Sequence, residues 1–465
     1  MIDSNKLSFR GNSGVKTCIF VLMSAVNFLF PMLLFFGIFT LISKHSFFKN
    51  TPFSKCSLQL AFFLRMSSSL AVFYLYSEYY TVRAEADTFK YFDDSYYMAK
   101  AFWEHPVDFL QMLLGLDCNT AYFHNNYFND MSNWVRSYDN GLLNDNRLVI
   151  RFNALIRIFS FGNYHVHALI FNLMAFVGSV SLGKVFYAVS KSKLKSYFSV
   201  FLIPSVIFWS SGIFKESILL FALGLFLFHF YQVSKGKGSI KSSLILLFTL
   251  GILIVMKLYV FLAFLPACVC YFISRKHENP LRMYLSGYCI FIVLAMSLAA
   301  FAPQYSFIHL IVDKQRDFIN LSQFFEVNSA FAMDYLEPTL WSLIKASPEA
   351  ILNVFTKPWL GEVNSLLFIP PLCENILLFI LLVLCFSWRK KISLDQAKFI
   401  LFCFAFTFLV YLIIGLTTPI TGALVRYKIP AAPFIWFSFL MILNTHKFPK
   451  GLRKNKLYLW LHSYL

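Results

Sequence analysis

The chain has 465 residues, of which 58% are hydrophobic, 19% aromatic and only 14% charged, with a formal net charge of +18. That composition excludes an ordinary soluble globular domain, and several apolar runs reach the roughly 20 residues needed to cross a hydrocarbon core of about 30 Å. The positive charge does not point to nucleic acid, because the lysines and arginines fall in short clusters between apolar runs, where membrane topology signals belong.

Lys6, Arg10 and Lys16 precede a first apolar run that is too long for a signal-peptide core and lacks a small-residue cleavage site, so it reads as a retained membrane helix. The apolar runs fall at about 17–42, 56–77, 164–189, 196–210, 213–233, 241–256, 258–273, 283–301, 366–387, 397–416 and 429–445. They predict an all-α polytopic membrane protein, one integral membrane domain over 1–465, with about eleven transmembrane helices; the range is ten to thirteen if short runs are re-entrant or merge. Most of the nine cysteines lie inside these runs, with no CxxC pair, and read as small buried hydrophobes. Cys118 alone sits well inside a polar segment, where a bridge to Cys373 is the alternative.

Basic residues occupy every second connection: Lys191, Lys193 and Lys195; Lys235, Lys237 and Lys241; Arg275, Lys276 and Arg282; Arg389, Lys390, Lys391 and Lys398. The C-terminal tail adds Lys447, Lys450, Arg453, Lys454 and Lys456. The positive-inside rule makes these connections and the C-terminus cytoplasmic. The alternate connections are tight turns near Ser211, Lys257 and Thr418 and two long loops, 78–163 and 302–365, expected on the periplasmic or extracellular face of the cytoplasmic (inner) membrane. Of the 23 acidic residues, 18 lie between 78 and 147 or between 302 and 365, so any chemistry is expected on that outer face. Three basic residues stand on each side of the first helix, so charge does not orient it; parity with the later loops puts the N-terminus outside.

The first outer loop opens with the most chemically loaded stretch of the chain, Ser77–His105, which sets Glu78, Glu85, Asp87, Asp93, Asp94 and Glu104 among Tyr79, Tyr80, Phe89, Tyr91, Tyr96 and Tyr97. A merely solvated acidic loop does not need that aromatic interleaving. A carboxylate at the mouth of an apolar cavity can serve as general base toward a hydroxyl, and a second converging carboxylate would let the pair hold a divalent metal, the one cofactor this motif suggests. Asp87 leads, with Asp93 and Asp94 as substitutes. Farther on, Leu142–Phe161 carries Arg147, Arg151 and Arg157 on a mostly apolar pattern too short and too charged to span. It predicts an amphipathic helix lying in the outer interface.

Cations recur at the outer ends of later segments. Lys215-Glu216 follow the Ser210-Ser211-Gly212 turn, Lys257 stands between two apolar runs, Lys357 ends the second long loop, and Arg426 lies in the last outer turn. Each alone reads as interfacial snorkelling, or, for Lys215-Glu216, as a local pair capping a turn. Together, on a face where few cations belong, Lys215, Lys257, Lys357 and Arg426 suggest an anionic ligand. His165 and His167, at i and i+2, would point apart on a helix. No Walker A, GxSxG, HExxH or GxGxxG motif in context appears, which gives no support to an ATPase, a hydrolase of that type or a dinucleotide enzyme.

With those residues in view, the chain resembles the GT-C class of membrane glycosyltransferases, which includes protein O-mannosyltransferases and the transferase that adds aminoarabinose to lipid A. The likeness covers the whole layout: many helices, an acidic motif and an interfacial helix in the first large outer loop, and outer basic residues. Ala86-Asp87-Thr88-Phe89-Lys90-Tyr91 looks like that loop motif, an aspartate followed about four positions on by a tyrosine. Arg426 with Pro430 looks like the late Arg-to-Pro stretch of these enzymes, and Phe208-Trp209-Ser210-Ser211-Gly212 with Lys215-Glu216 resembles a helix-turn-helix segment of related surface-polysaccharide proteins. Two departures stand out: the motif follows a second helix, not the first, and Ala86-Asp87 replaces the usual Gly-Asp or Asp-Glu.

The resemblance implies an inverting sugar transferase of surface-polysaccharide or lipid-glycan assembly. Its partners would be membrane lipids, a polyprenyl-phosphate-linked sugar donor and a lipid or glycan acceptor. Asp87 would be the base, with Lys215, Glu216, Lys257, Lys357 and Arg426 around the donor phosphate. A polysaccharide-repeat polymerase of the O-antigen or capsule type and a lipid-linked sugar flippase without catalysis are the alternatives. A transporter should carry charges in mid-helix, of which Arg65 is the clearest.

The charge pattern makes a direct prediction. A cysteine placed at Asn125, with Cys118 replaced, is expected to react with an impermeant thiol reagent in intact cells. Protection there, with labelling only after lysis, would reverse the topology.

Overall fold

A computed structural model describes residues 13–79, 82–83, 86–135, 144–301, 306–362 and 365–448. Among them the chain is built from helices and turns, with only isolated β-bridges. The N-terminal basic cluster before residue 13, Tyr80 and Glu85 of the acidic stretch, and the tail beyond 448 lie outside the described residues.

Helices α1 (Ser13–Lys44) and α3 (Lys55–Tyr74) are joined by the single turn α2 (Ser46–Lys49). The first long connection is itself helical: α4 (Asp87–Glu104), α5 (Pro106–Leu114), the turn α6 (Ala121–Phe123) and α7 (Asp145–Ser160). Then come α8 (Tyr164–Ser190), α9 (Lys193–Phe201), α10 (Pro204–Trp209), α11 (Lys215–Ser234), α12 (Ile240–Met256), α13 (Leu258–Ser274) and α14 (Pro280–Phe301). The second long connection folds as α15 (Phe307–Phe324) and α16 (Leu340–Thr356). The chain continues through α17 (Ile369–Ser387), α18 (Leu394–Thr417), the short α19 (Thr421–Tyr427) and α20 (Ala432–Ile442).

Among the described residues, six helices of 18 residues or more are apolar enough to cross a membrane: Lys55–Glu78, Tyr164–Ser190, Lys215–Ser234, Pro280–Phe301, Leu366–Ser387 and Leu394–Thr417. This is fewer than the eleven spans expected. Of the other runs, the first forms the 32-residue α1, α12 and α13 are apolar helices of 17 residues each, at the lower end of spanning length, and α20 has 11. The run 196–210 breaks into α9 and α10, because Pro204, in the first turn of α10, cannot continue a helix from Phe201. The long apolar helices nevertheless carry exposed faces that only lipid would solvate. On α14, Leu285, Ile290, Ile292, Val293, Leu294 and Leu298 are all exposed, and Tyr284 is its one buried residue. This is a helical membrane protein.

In lipid, apolar burial does not drive helices together, so close backbone contact and buried hydrogen bonds must. Helices α8 and α11 meet at two glycines: a Cβ on Gly178 would stand 2.2 Å from the Leu220 carbonyl oxygen, and one on Gly224 2.1 Å from the Gly178 oxygen. Arg65, buried in α3, donates to the Ser210 carbonyl at 2.7 Å, to the Ser210 hydroxyl at 2.8 Å and to the Ser179 hydroxyl at 3.4 Å. The mid-helix charge that would suit a transport path is thus a tie between α3, α8 and the α10–α11 turn.

The two ends of the bundle differ in character. At one end the basic connections gather: Gln396 donates to the Val189 carbonyl (3.2 Å), Lys195 to that of Leu443 (2.9 Å) and Lys398 to that of Arg275 (3.1 Å). The acidic first connection and the turns at 210–214, 257 and 418–431 belong to the other end. Cys118 and Cys373 are both free thiols, the first buried and the second exposed, so no bridge joins them.

Gly178→Leu is expected to force α8 and α11 apart and to lower stability by about 1–3 kcal/mol or more, read as a drop in melting temperature in detergent. Gly251→Ala, whose Cβ would meet nothing within 4 Å, should melt like the wild type. Equal melting of all three proteins would contradict the glycine contact.

Candidate functional site

The site is organised by the turn between α10 and α11. Ser210, Ser211 and Gly212 are buried here, where unpaired backbone groups would be costly. The turn satisfies them locally and from three other helices. Arg65 takes the Ser210 carbonyl, Asn172 of α8 donates to that of Ser211 at 2.7 Å, and Ser217 of α11 donates to those of Ser210 and Gly212, each at 3.0 Å. The Ile213 N–H donates to the Thr88 hydroxyl of α4 at 3.3 Å, and Thr88 shares a short hydrogen bond with Tyr164. The first two residues of α11, Lys215 and Glu216, are fixed by this arrangement against the start of α4.

There the chain assembles a cluster of charges. Asp87, the first residue of α4, pairs with Lys90 one turn along the same helix and with Arg426 of α19. Arg426 turns its other nitrogen to Glu216 at 2.8 Å, and its guanidinium lies 5.0 Å from the Phe214 ring and 5.7 Å from that of Trp209. Lys215 pairs with Asp145, the first residue of α7, at 2.7 Å, and stands 5.5 Å from the Tyr91 ring. Lys257, between α12 and α13, sits 4.7 Å over the Tyr427 ring within electrostatic reach of Tyr259, Asp145 and Glu216. Glu216 is only 2% exposed and Arg426 13%, so these are largely desolvated charges. The Arg426 Nε is buried without a hydrogen-bond partner.

Three features follow from that geometry. The N-termini of α4, α7, α11 and α13 all meet at the cluster, and each contributes partial positive charge. The four cations Lys90, Lys215, Lys257 and Arg426 outnumber the carboxylates Asp87, Asp145 and Glu216 by one. Tyr91, Tyr259, Tyr427 and Trp209 supply ring faces beside the charges. Helix ends, excess cation and aromatic faces together suit an anionic ligand carrying a ring.

Of the residues singled out from sequence, Asp87, Lys215, Glu216, Lys257 and Arg426 come together here. Asp93 does not: it faces away and takes a bidentate contact from Arg83, at 2.7 and 2.8 Å. Asp94 is buried but accepts the backbone N–H groups of Ser132 (3.0 Å) and Asn133 (2.8 Å), a structural capping task. Lys357 pairs with Glu362 and lies 4.3 Å over the Phe331 ring, apart from the cluster contacts. The aspartates of the acidic motif turn to separate partners, and among the described residues no three His, Cys, Asp or Glu side chains gather as a metal site. The amphipathic helix expected in this stretch runs over 145–160 and packs one face into the protein: Val149, Ile150 and Ala154 are fully buried, its arginines donate to the carbonyls of Trp134, Met112 and Phe92, and Leu155 and Phe159 are exposed.

The chain's sequence drew no attention to Lys90 or Asp145. The first stands at i+3 from Asp87, on the same helix face. The second follows Asn144, whose side chain accepts the Asn146 N–H at 3.0 Å, an N-cap signature that locates a helix start where acids belong. Comparisons of the chain with protein-family models, with curated proteins and with solved structures give no match.

Burial alone would raise the Asp87 carboxyl, but the charges and hydrogen bonds of Arg426 and Lys90 prevail and hold it far below its ordinary value of 3.8. A carboxyl depressed on folding stabilises fully above that ordinary value and loses its contribution as pH falls below it, because the unfolded chain takes up the proton first. The melting-temperature difference between wild type and Asp87→Asn is therefore expected to stay constant from about pH 8 to about pH 5 and to shrink below about pH 4. A difference that already changes between pH 8 and 5 would contradict the ion-paired assignment.

Proposed function

We propose that this protein is a membrane glycosyltransferase of the GT-C kind, moving a sugar from a polyprenyl-phosphate-linked donor to a lipid or glycan acceptor. The single observation that carries the reading is the convergence of Asp87, Lys90, Asp145, Lys215, Glu216, Lys257 and Arg426 at the acidic-loop end of a helical membrane protein. The proposal sets this end on the outer face of the cytoplasmic membrane, because the basic connections lie at the opposite end.

In this reading the donor phosphate engages Lys257 and Arg426, and the unpartnered Nε of Arg426 supplies one of the donors. Drawing Arg426 toward the phosphate weakens its hold on Asp87, whose carboxylate then regains basicity. An Asp87 oxygen accepts the proton of the acceptor hydroxyl as the hydroxyl oxygen attacks the anomeric carbon. The bond from that carbon to the phosphate oxygen breaks, and the lipid phosphate departs with the electron pair, stabilised by Lys257, Arg426 and the helix N-termini. Aromatic faces at Trp209 and Tyr91 suit the sugar. The transport reading loses its mid-helix charge, since Arg65 is bound to Ser210 and Ser179.

Product formed in membranes from a lipid-linked sugar donor tests this. Asp87→Asn keeps the shape of the side chain but cannot accept the proton, and is expected to lower turnover roughly 100-fold or more while donor binding survives. Lys257→Gln, which removes a cation without stranding an ion-paired carboxylate, should instead weaken donor binding. Products that lengthen by whole repeat units would identify the polymerase form of the same chemistry. Wild-type product from Asp87→Asn would refute Asp87 as the base, and donor translocation without product would favour the flippase.

A further inference from the structure

At the basic end of the bundle, opposite the carboxylate cluster, a cleft of about 840 Å³ opens between the α1–α3 connection, α8, α11 and α12. Its deepest cation is Lys184, on the otherwise largely buried C-terminal part of α8. The Lys184 ammonium donates to the Phe47 carbonyl at 2.7 Å and lies 3.8 Å from the Phe47 ring and 5.4 Å from that of Phe228. It makes no ion pair with a carboxylate among the described residues. Lys241, exposed at the start of α12, lines the same cleft with the uncharged donors Ser46 and Asn50, and among the described residues no acidic one lines it.

An ionisable side chain within a membrane helix is costly unless something answers its charge. Two cations, neutral donors and aromatic walls without a carboxylate form a receptor for a tetrahedral oxyanion. Exposed Leu244, Leu247 and Phe248 on α12 extend an apolar surface from its rim, where acyl or prenyl chains would lie. We propose that this cleft binds a phosphate group, as a lipid headgroup or as free phosphate, at a site separate from the carboxylate cluster and independent of any chemistry there. Basic clefts between membrane helices on the cytoplasmic side have this character.

The test uses native mass spectrometry of the full-length protein in detergent, titrated with phosphatidylglycerol, with phosphatidylcholine as the zwitterionic control. Lys184→Gln and Lys241→Gln are each expected to weaken phosphatidylglycerol binding roughly fivefold, the effect of one lysine near an anionic headgroup. Lys237→Gln, a nearby exposed lysine outside the cleft, should leave it unchanged. Lysine-dependent binding that resists inorganic phosphate identifies the headgroup as ligand; displacement by inorganic phosphate identifies the free anion. Equal affinity in wild type, Lys184→Gln and Lys241→Gln would overturn the proposal. Lys241 is exposed, so its substitution keeps the test decisive even if Lys184→Gln fails to fold.

Discussion

The bridge Asp87–Arg426–Glu216 joins residues separated by up to 339 positions along the chain and ties the start of α4, the start of α11 and the short α19 into one unit. Buried charges are retained only when each is matched: desolvation opposes every ion, and removing one partner strands the other at a cost of about 3–5 kcal/mol. Here a single guanidinium answers two carboxylates on two helices, while Lys90 supports Asp87 and Lys215 answers Asp145. The cluster ends of α4, α7, α11 and α19 therefore have little freedom to move apart. The same arrangement leaves Arg426 with a buried, unpartnered Nε and Lys257 without a carboxylate in contact, so the cluster keeps binding capacity for an anion.

That precision depends on irregular backbone placed where protein, not lipid, surrounds it. The α10–α11 turn is held by side chains of α3, α4 and α8, and its position follows from the glycine contact between α8 and α11. The break between α9 and α10 is handled similarly. Glu374 of α17 accepts the Ser205 backbone N–H, with the Ser205 hydroxyl donating to the same carboxylate at 2.6 Å. A carboxylate at the start of a half-helix satisfies orphan donors and complements the dipole. Discontinuous helices in membranes are tolerated only with such internal partners. Two buried acids on apolar helices, Glu216 and Glu374, thus have different tasks: one joins the charged cluster, the other closes a break in the scaffold.

The membrane character, most helix positions and the separation of basic from acidic connections were legible in composition and charge, because lipid imposes length and hydropathy directly. The break at Pro204 was not, because it splits a run that hydropathy alone reads as continuous. Five cluster residues were legible as ionisable groups at the ends of apolar runs. Asp93 and Asp94 were misleading for different reasons: Asp93, six residues on, lies on another face of α4 with Arg83, whereas Asp94, seven residues on, shares the face of Asp87 but stands two turns, about 10 Å, along the helix, where Ser132 and Asn133 take it up. Lys90 was within reach of helix spacing, whereas the pairing of Asp145 with Lys215 joins α7 to α11 and depends on tertiary packing that no local pattern encodes. Likewise Lys357 carried the right charge on the right segment, but Glu362, five residues on, takes it up.

The account turns on whether an anion displaces the internal pairing of Arg426. A structure of the protein in lipid nanodiscs saturated with a polyprenyl phosphate, determined by electron cryomicroscopy, addresses this directly. The account predicts phosphate density within hydrogen-bonding distance of Lys257 Nζ and the Arg426 guanidinium, with the Arg426–Asp87 contact lengthened. Arg426 still bound to both Asp87 and Glu216, with no phosphate density at the cluster under saturation, would contradict it.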